Sequence, residues 1–228
     1  MTKKPTSLQR WLRYHREALL VEKFYLRVED TPDLEPLLTS EPWARLVDAT
    51  FHSNTVRDWS EQTSRQSEHV RDAIKKARRD GCTLLLHIDD DEMLFVPGGL
   101  QALRRELHRA TDTGAFNMHA LTLEALAPAS GDGAHGAETS GEGAASEECH
   151  FAACRAFRHA RKAYGAYGGN PVSAGKSFGN LAEPGLQFNS PHHYMVEGRG
   201  LVQRTTTAHS GYMRGTVILP VSCLRASN

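Results

Sequence analysis

Residues 84–92 read LLLHIDDDE, and this stretch decides the fold class. A short apolar run that follows a turn glycine, Gly81, is typical of a strand buried on both faces. We therefore expect a parallel strand near the centre of its sheet. Asp89, Asp90, Asp91 and Glu92 follow at its carboxyl end, where open α/β sheets bind their ligands.

The sequence on either side alternates between strand and helix patterns. Apolar spacing predicts helices over residues 8–20, 56–79 and 100–110, and strands over 23–28, 44–51, 84–88 and 115–126. This alternation predicts an α/β fold with a mostly parallel central sheet flanked by helices. Residues 127–148 are rich in Gly, Ala and acids and hold no Lys or Arg, which predicts a flexible insertion.

The overall charge excludes some classes of partner. The 228 residues hold 27 Lys and Arg against 27 Asp and Glu, so no basic excess favours nucleic acid. No apolar run approaches the ~20 residues of a spanning helix, and no secretory signal follows Met1. We expect no membrane span; the compartment is unknown, with the cytoplasm as the default.

The acidic run favours metal chemistry. Asp89 and Asp91, two residues apart, could hold one hard cation such as Mn2+ or Mg2+, which commonly shares its oxygen ligands with substrate phosphates. The alternative is a solvated acidic turn that caps the next helix. A phosphohydrolase with an aspartate nucleophile is a further alternative, although its motif places Thr or Val where this chain has Met93.

Several segments together resemble one enzyme family. Residues 87–95 (HIDDDEMLF) resemble the DxD region of GT-A glycosyltransferases, in the family 2-like group with an "hIDDDEll" signature. Residues 11–15 and 24–32 resemble its first helix and second strand, and Arg65-Gln66 resembles its "RQ" helix. Residues 167–177 resemble its "NGKSa" segment with five residues inserted, and residues 190–194 (SPHHY) resemble its "GPHrF". The resemblance spans about residues 8–195.

The resemblance implies a metal-dependent transferase that uses a nucleotide-diphosphate sugar. It implies one GT-A domain over 1–228, with a nucleotide-sugar-binding half (1–126), the insertion (127–148) and an acceptor-side half (149–228). Asp89 and Asp91, completed by His192, would hold Mn2+ or Mg2+ on the donor diphosphate, and Asp90 would also line the donor site. The acceptor would be a glycan, protein or lipid, and the sequence does not identify which.

Other residues would contact the donor. Glu29 and Asp30 could accept hydrogen bonds from the base or ribose, or merely form a turn. Arg65 could face the pyrophosphate, or be a solvated helix arginine. Lys176 could contact a phosphate, or be an exposed loop lysine.

The two catalytic candidates are Asp91 and Glu124. Glu124, which we expect directly after a strand over 116–123, could be the base for the acceptor hydroxyl, or a salt-bridged strand-end glutamate. His192 could equally be a loop histidine bonded to backbone.

One departure from the family lies at the start of the chain. The family usually begins with a strand that ends in a Lys-Asn-Glu-like turn, and residues 1–6 hold nothing similar. Either the sequence is an N-terminally shortened fragment or the nucleoside pocket is incomplete. The alternative function is therefore a degenerate, non-catalytic module that binds sugar nucleotides.

Overall fold

The structure is a computed structural model, and part of the chain is described. The described residues are 1–3, 5, 7–53, 59–125, 157–159, 175–190, 192–197, 201–202, 212–213 and 216–225. The predicted insertion over 127–148 lies outside them.

The described residues hold four α-helices, of which three form where apolar spacing predicts them and one, the short α2, was not predicted. In the first, the buried positions Leu8, Leu12 and His15 recur at helical spacing. The third ends shortly before Gly81, whose φ of +77° suits a residue without a Cβ. The helices are α1 (Leu8–Glu17), α2 (Glu35–Thr39), α3 (Trp59–Arg79) and α4 (Gly99–Asp112).

Twelve strands are described, and they fall into four sheets. A six-stranded sheet has the order β3-β7-β5-β12-β4, with β6 beside β5; the other three sheets are the pairs β1-β2, β8-β9 and β10-β11. The strands are β1 (Phe24–Glu29), β2 (Val47–His52), β3 (Leu84–Leu86), β4 (Glu92–Phe95), β5 (Asn117–Ala125), β6 (Phe157–His159), β7 (Lys176–Asn180), β8 (Leu186–Ser190), β9 (His193–Val196), β10 (Leu201–Val202), β11 (Tyr212–Met213) and β12 (Thr216–Arg225).

The mixed α/β class is confirmed, but the expected mostly parallel sheet is wrong. Only the β1-β2 and β5-β12 pairs are parallel among the described strands, whereas the other pairs are antiparallel. The reason is that β7 and β12, from the second half of the chain, enter the sheet beside strands of the first half. Alternation of elements along the first half gives no information about such long-range insertions.

The position predicted for the 84–88 strand is also wrong. β3 stands at one end of the sheet order and pairs antiparallel with β7. Both of its faces are nevertheless covered, because Leu84 and Leu86 pack against one hydrophobic cluster and Leu85 against another. An apolar run indicates that both faces of a strand are covered. It does not indicate how many strands pair with that strand.

The pairing of β3 with β7 positions the acidic run. Leu86 lies opposite Phe178, so the start of β7 lies beside the residues that follow β3. Strand β1 ends nearby at Glu29, and residue Thr2 pairs with Val28 of that strand. In the described part of the chain, no helix is long and apolar enough to cross a membrane.

Candidate functional site

The acidic run forms the turn between β3 and β4. The backbone N–H of Glu92 donates to the carbonyl of Asp89 (3.2 Å), and the N–H of Asp89 donates to the Glu92 carboxylate (3.1 Å). Helix α1 holds the far side of this turn, since the indole N–H of Trp11 donates to the Glu92 carbonyl at 2.7 Å. The acids therefore begin a strand, and they do not cap a helix.

Lys176, the first residue of β7, lies between two of these acids. Its ammonium is 2.7 Å from Asp89 Oδ2 and 3.3 Å from Glu92 Oε2, and its side chain is 3% exposed. The interpretation as an exposed loop lysine is therefore wrong. Burial of an ammonium is tolerated when carboxylates pair with it, and here two of them do.

The surroundings of this cluster shift the pKa values of the two carboxyl groups in opposite directions. Burial opposes ionisation of Asp89, but Lys176 outweighs it and holds the pKa of Asp89 below its usual value. Burial raises the pKa of Glu92 to about 7, against the opposing effect of Lys176. Burial lowers the pKa of Lys176, but Glu92 and Asp89 reverse that effect and raise it. Near neutral pH, Asp89 and Lys176 thus form the charged pair, and Glu92 is poised to hold a proton.

The first residues of the chain connect the acidic run to β1. The hydroxyl of Thr2 donates to the carboxylate of Asp90, and burial raises the pKa of Asp90 despite this hydrogen bond. The next residue, Lys3, places its ammonium 2.6 Å from Asp30 Oδ2. Asp30 has a φ of +48° at the end of β1. The segment with Glu29 and Asp30 therefore lies beside the acidic run.

Glu29 is held by two guanidinium groups. Its Oε1 accepts from Arg27 Nε at 2.9 Å and from Arg65 Nε at 2.8 Å, and the residue is 2% exposed. Arg65 is accordingly an ion-pairing residue with an 18% exposed side chain, rather than a solvated helix arginine. A carboxylate fixed in this way is a preorganised acceptor, and Arg65 is a cation held at the same end of β1.

His192 bonds to backbone at the start of β7. Its Nδ1 lies 2.7 Å from the carbonyl of Gly175. A carbonyl only accepts, so Nδ1 carries the proton and the neutral ring presents Nε2 as its acceptor atom. This is the tautomer that a histidine ligand needs for coordination through Nε2.

The sequence did not indicate His119 as part of this region. Its Nδ1 lies 2.9 Å from Ser177 Oγ, and that hydroxyl donates to the carbonyl of His192 at 2.6 Å. Its ring is also 5.0 Å from the ring of His193. The available sequence signal was a histidine within the apolar run of β5, and the structure buries it fully.

Gly175 makes this arrangement possible. A Cβ on this residue would lie 2.2 Å from both the carbonyl oxygen of Ala120 and the Nε2 of His119. Only glycine lets the chain approach β5 this closely before β7 begins.

Two expected site residues are not joined to this cluster by a described contact. Asp91 is half-buried and makes no hydrogen bond or ion pair with any residue that the structure describes. Glu124 lies within β5, not after it, with its backbone opposite Arg158 and Arg225; its side chain lies outside the description.

The donor set as arranged does not fit a metal centre. Over the described ranges, no group of three or more His, Cys, Asp or Glu side chains could hold a metal ion. The carboxylate of Asp89 is already neutralised by Lys176, which occupies the position of a cation. This arrangement gives no support to the predicted Mn2+ or Mg2+ site of Asp89, Asp91 and His192, which stays a prediction.

Comparison with known proteins finds no relative of this chain. The chain matches no protein-family model, no curated protein and no solved structure.

Proposed function

We propose that the chain is a GT-A-type glycosyltransferase that binds a nucleotide-diphosphate sugar beside Lys176 and transfers the sugar to an acceptor. One observation supports this most: segments far apart in sequence, each quoted for the family resemblance, contact one another in pairs. Asp89 and Glu92 bond to Lys176 itself, Glu29 to Arg65, and His192 to Gly175.

In this proposal Lys176 supplies positive charge to the donor diphosphate. Its ammonium has three donors and now faces two carboxylates, so a phosphate oxygen could replace Glu92, the more distant partner. Burial raises the pKa of Glu92 to about 7, and a protonated Glu92 would no longer require the Lys176 ammonium as a partner. The leaving diphosphate gains charge as the bond to the sugar breaks, and an adjacent ammonium stabilises that charge.

The remaining residues have two roles in this proposal: some orient the donor, and one takes up the proton of the acceptor hydroxyl. Glu29 and Asp30 would bind ribose or base, and Arg65, already held by Glu29, would face the pyrophosphate. The bond between the sugar and the phosphate oxygen breaks, a bond from the acceptor oxygen to the sugar forms, and the acceptor proton goes to a carboxylate, for which Glu124 is the candidate. No step is assigned to a metal, because the described donors do not fit one.

The test measures binding and turnover separately. Calorimetry with a panel of sugar nucleotides detects binding, and release of nucleoside diphosphate detects transfer or donor hydrolysis, each with Mn2+, with Mg2+ and with EDTA. We expect one donor to bind and turn over, and Lys176→Met to weaken its binding at least about tenfold. Lys75→Met is the matched control, because Lys75 is an exposed lysine whose ion pair among the described residues is with Asp72 of the same helix.

One observation favours the second candidate, a non-catalytic sugar-nucleotide-binding module. Lys176 already neutralises Asp89, so the DxD carboxylate is not available to a metal in this arrangement. Binding of a donor without turnover under any metal condition would favour this module. Failure of every donor to bind, or hydrolysis of a simple phosphate monoester instead, would contradict both candidates.

A further inference from the structure

Strand β4 stands at one end of the six-stranded sheet. β12 pairs with one of its edges, and among the described strands none pairs with the other. Two residues of β4, Glu92 and Leu94, are each 1% exposed, so water does not reach them. The backbone groups on the second edge therefore need partners from elsewhere in the protein.

Helix α1 supplies these partners with its side chains. The indole N–H of Trp11 donates to the Glu92 carbonyl at 2.7 Å, and the hydroxyl of Tyr14 donates to the Leu94 carbonyl at 2.8 Å. The N–H of Leu94 donates to His15 Nε2 at 3.5 Å. Glu92 and Leu94 are two residues apart, so their backbone groups lie on the same edge of the strand. Side chains of α1 thus take the place of a neighbouring strand.

The residue that Trp11 holds belongs to the acidic turn. The carboxylate of Glu92 accepts from the N–H of Asp89 at 3.1 Å and lies 3.3 Å from the Lys176 ammonium. Leu94, by contrast, contributes an aliphatic side chain to a hydrophobic cluster. The two carbonyls are bonded at similar distances, but only the bond from Trp11 holds a residue that contacts Lys176.

Trp11 is itself held firmly. Its ring centroid is 4.5 Å from that of His15 and 5.7 Å from that of Phe24 in β1. Its carbonyl accepts from His15 Nδ1 at 2.9 Å, and Leu8 and Leu12 bury the same helix in the core. A side chain that orients another group must have its own conformation fixed by packing, and Trp11 meets this condition.

We propose that Trp11 is a positioning residue for the donor site. Its indole N–H fixes the first residue of β4 and, through Glu92, the placement of Asp89 and of the Lys176 ammonium. This inference rests on the proposed function, in which that ammonium binds the donor diphosphate. An ammonium that is already held in place loses little side-chain freedom on binding, so the support from Trp11 strengthens the binding of a diphosphate.

The first experiment needs no donor. Loss of one indole N–H signal in the 15N NMR spectrum of Trp11→Phe assigns that signal. Lys176→Met should shift the Trp11 signal by more than its line width and leave the signal of Trp43, which lies in another hydrophobic cluster, in place. Asp89→Asn, which removes one charge of the same ion pair, is the second variant in case Lys176→Met does not fold. An unchanged Trp11 signal in a folded variant would overturn the proposal.

The second experiment compares two variants that each remove one donor to the edge of β4. Pyrophosphate, the simplest analogue of the donor diphosphate, is titrated calorimetrically into Trp11→Phe and Tyr14→Phe. We expect Trp11→Phe to weaken binding at least about fivefold and Tyr14→Phe to change it less than about twofold. A tryptophan analogue with sulfur in place of the indole N–H should weaken binding as Trp11→Phe does, which separates the lost hydrogen bond from the lost ring volume.

The outcomes separate this inference from the proposed function. Equal weakening by Trp11→Phe and Tyr14→Phe, or no weakening by Trp11→Phe, would overturn the positioning role and leave both hydrogen bonds purely structural. Failure of pyrophosphate to bind the unaltered protein would contradict the role of Lys176 in the proposed function. The shift of the indole signal would then still decide whether Trp11 is coupled to Lys176.

Discussion

The ammonium of Lys176 lies 2.7 Å from Asp89 Oδ2, although 87 residues separate the two in sequence. The pair is buried on the lysine side and joins the start of β7 to the end of β3. A second carboxylate, Glu92, lies 3.3 Å from the same ammonium. One side chain therefore pairs with two of the four acids in this run.

Replacing Lys176 by Met should destabilise the fold. The substitution leaves Asp89 and Glu92 without their cation in a largely buried site, and removing one partner of a buried pair costs about 3 kcal/mol or more. Urea unfolding at pH 7 measures the loss. Lys75→Met, at an exposed position, should change the free energy of unfolding by less than about 0.5 kcal/mol. Similar values for the two variants would show that the Lys176 ion pairs contribute little.

Asp91→Asn and Asp89→Asn should differ in their effect on the thermal midpoint. Asp89 pairs with Lys176, so its substitution should lower the thermal midpoint, whereas Asp91→Asn should leave it level because no described contact is lost. If Asp91 has the catalytic role that the family resemblance implies, Asp91→Asn should nevertheless abolish turnover. Thermal melts and nucleoside diphosphate release measure the two properties on the same preparations. Normal turnover by Asp91→Asn would remove this residue from the catalytic site.

Gly175→Ala should cost more stability than a glycine substitution in open space. The added methyl would lie 2.2 Å from Ala120 O and His119 Nε2, so β5 and β7 must move apart, which costs about 3 kcal/mol. Gly81→Ala is the matched control: its φ is +77° but nothing lies within 4 Å, so only backbone strain of about 1 kcal/mol is expected. Chemical denaturation gives both values. A smaller loss for Gly175→Ala than for Gly81→Ala would contradict the close approach.

His15 should make stability depend on pH. Burial lowers its pKa from 6.5 to about 4, although its Nδ1 donates to the Trp11 carbonyl. Between those values the unfolded chain binds the proton more readily, so stability is full above pH 6.5 and falls as the pH drops towards 4, by up to about 3 kcal/mol. His15→Gln keeps a polar neutral side chain and should lose much of this dependence. Parallel slopes for the two proteins between pH 7 and 4.5 would contradict the assignment.

Local structure followed from local residues. The spacing of Leu8, Trp11 and Leu12 predicted α1, and Gly81 predicted the end of α3. Apolar runs predicted β1, β3 and β5. The acidic run was recognised as a site candidate because acids at the end of a strand lie at a known ligand position, and Glu29 because of the family resemblance. The elements need only neighbours within a few residues, and the structure confirms them; the functional roles of the acids stay predictions.

What sequence could not supply was the arrangement of distant segments. The chain by itself determined that a covered strand begins at residue 84 and that acids follow it, since covering requires only apolar side chains. Only the tertiary structure decided that β7 lies antiparallel beside it, and so that Lys176, which looked like a loop residue, meets Asp89. A buried ammonium and a buried carboxylate are each unfavourable alone and are stable only as a pair. Their partnership therefore becomes visible only when the fold brings residues 89 and 176 together.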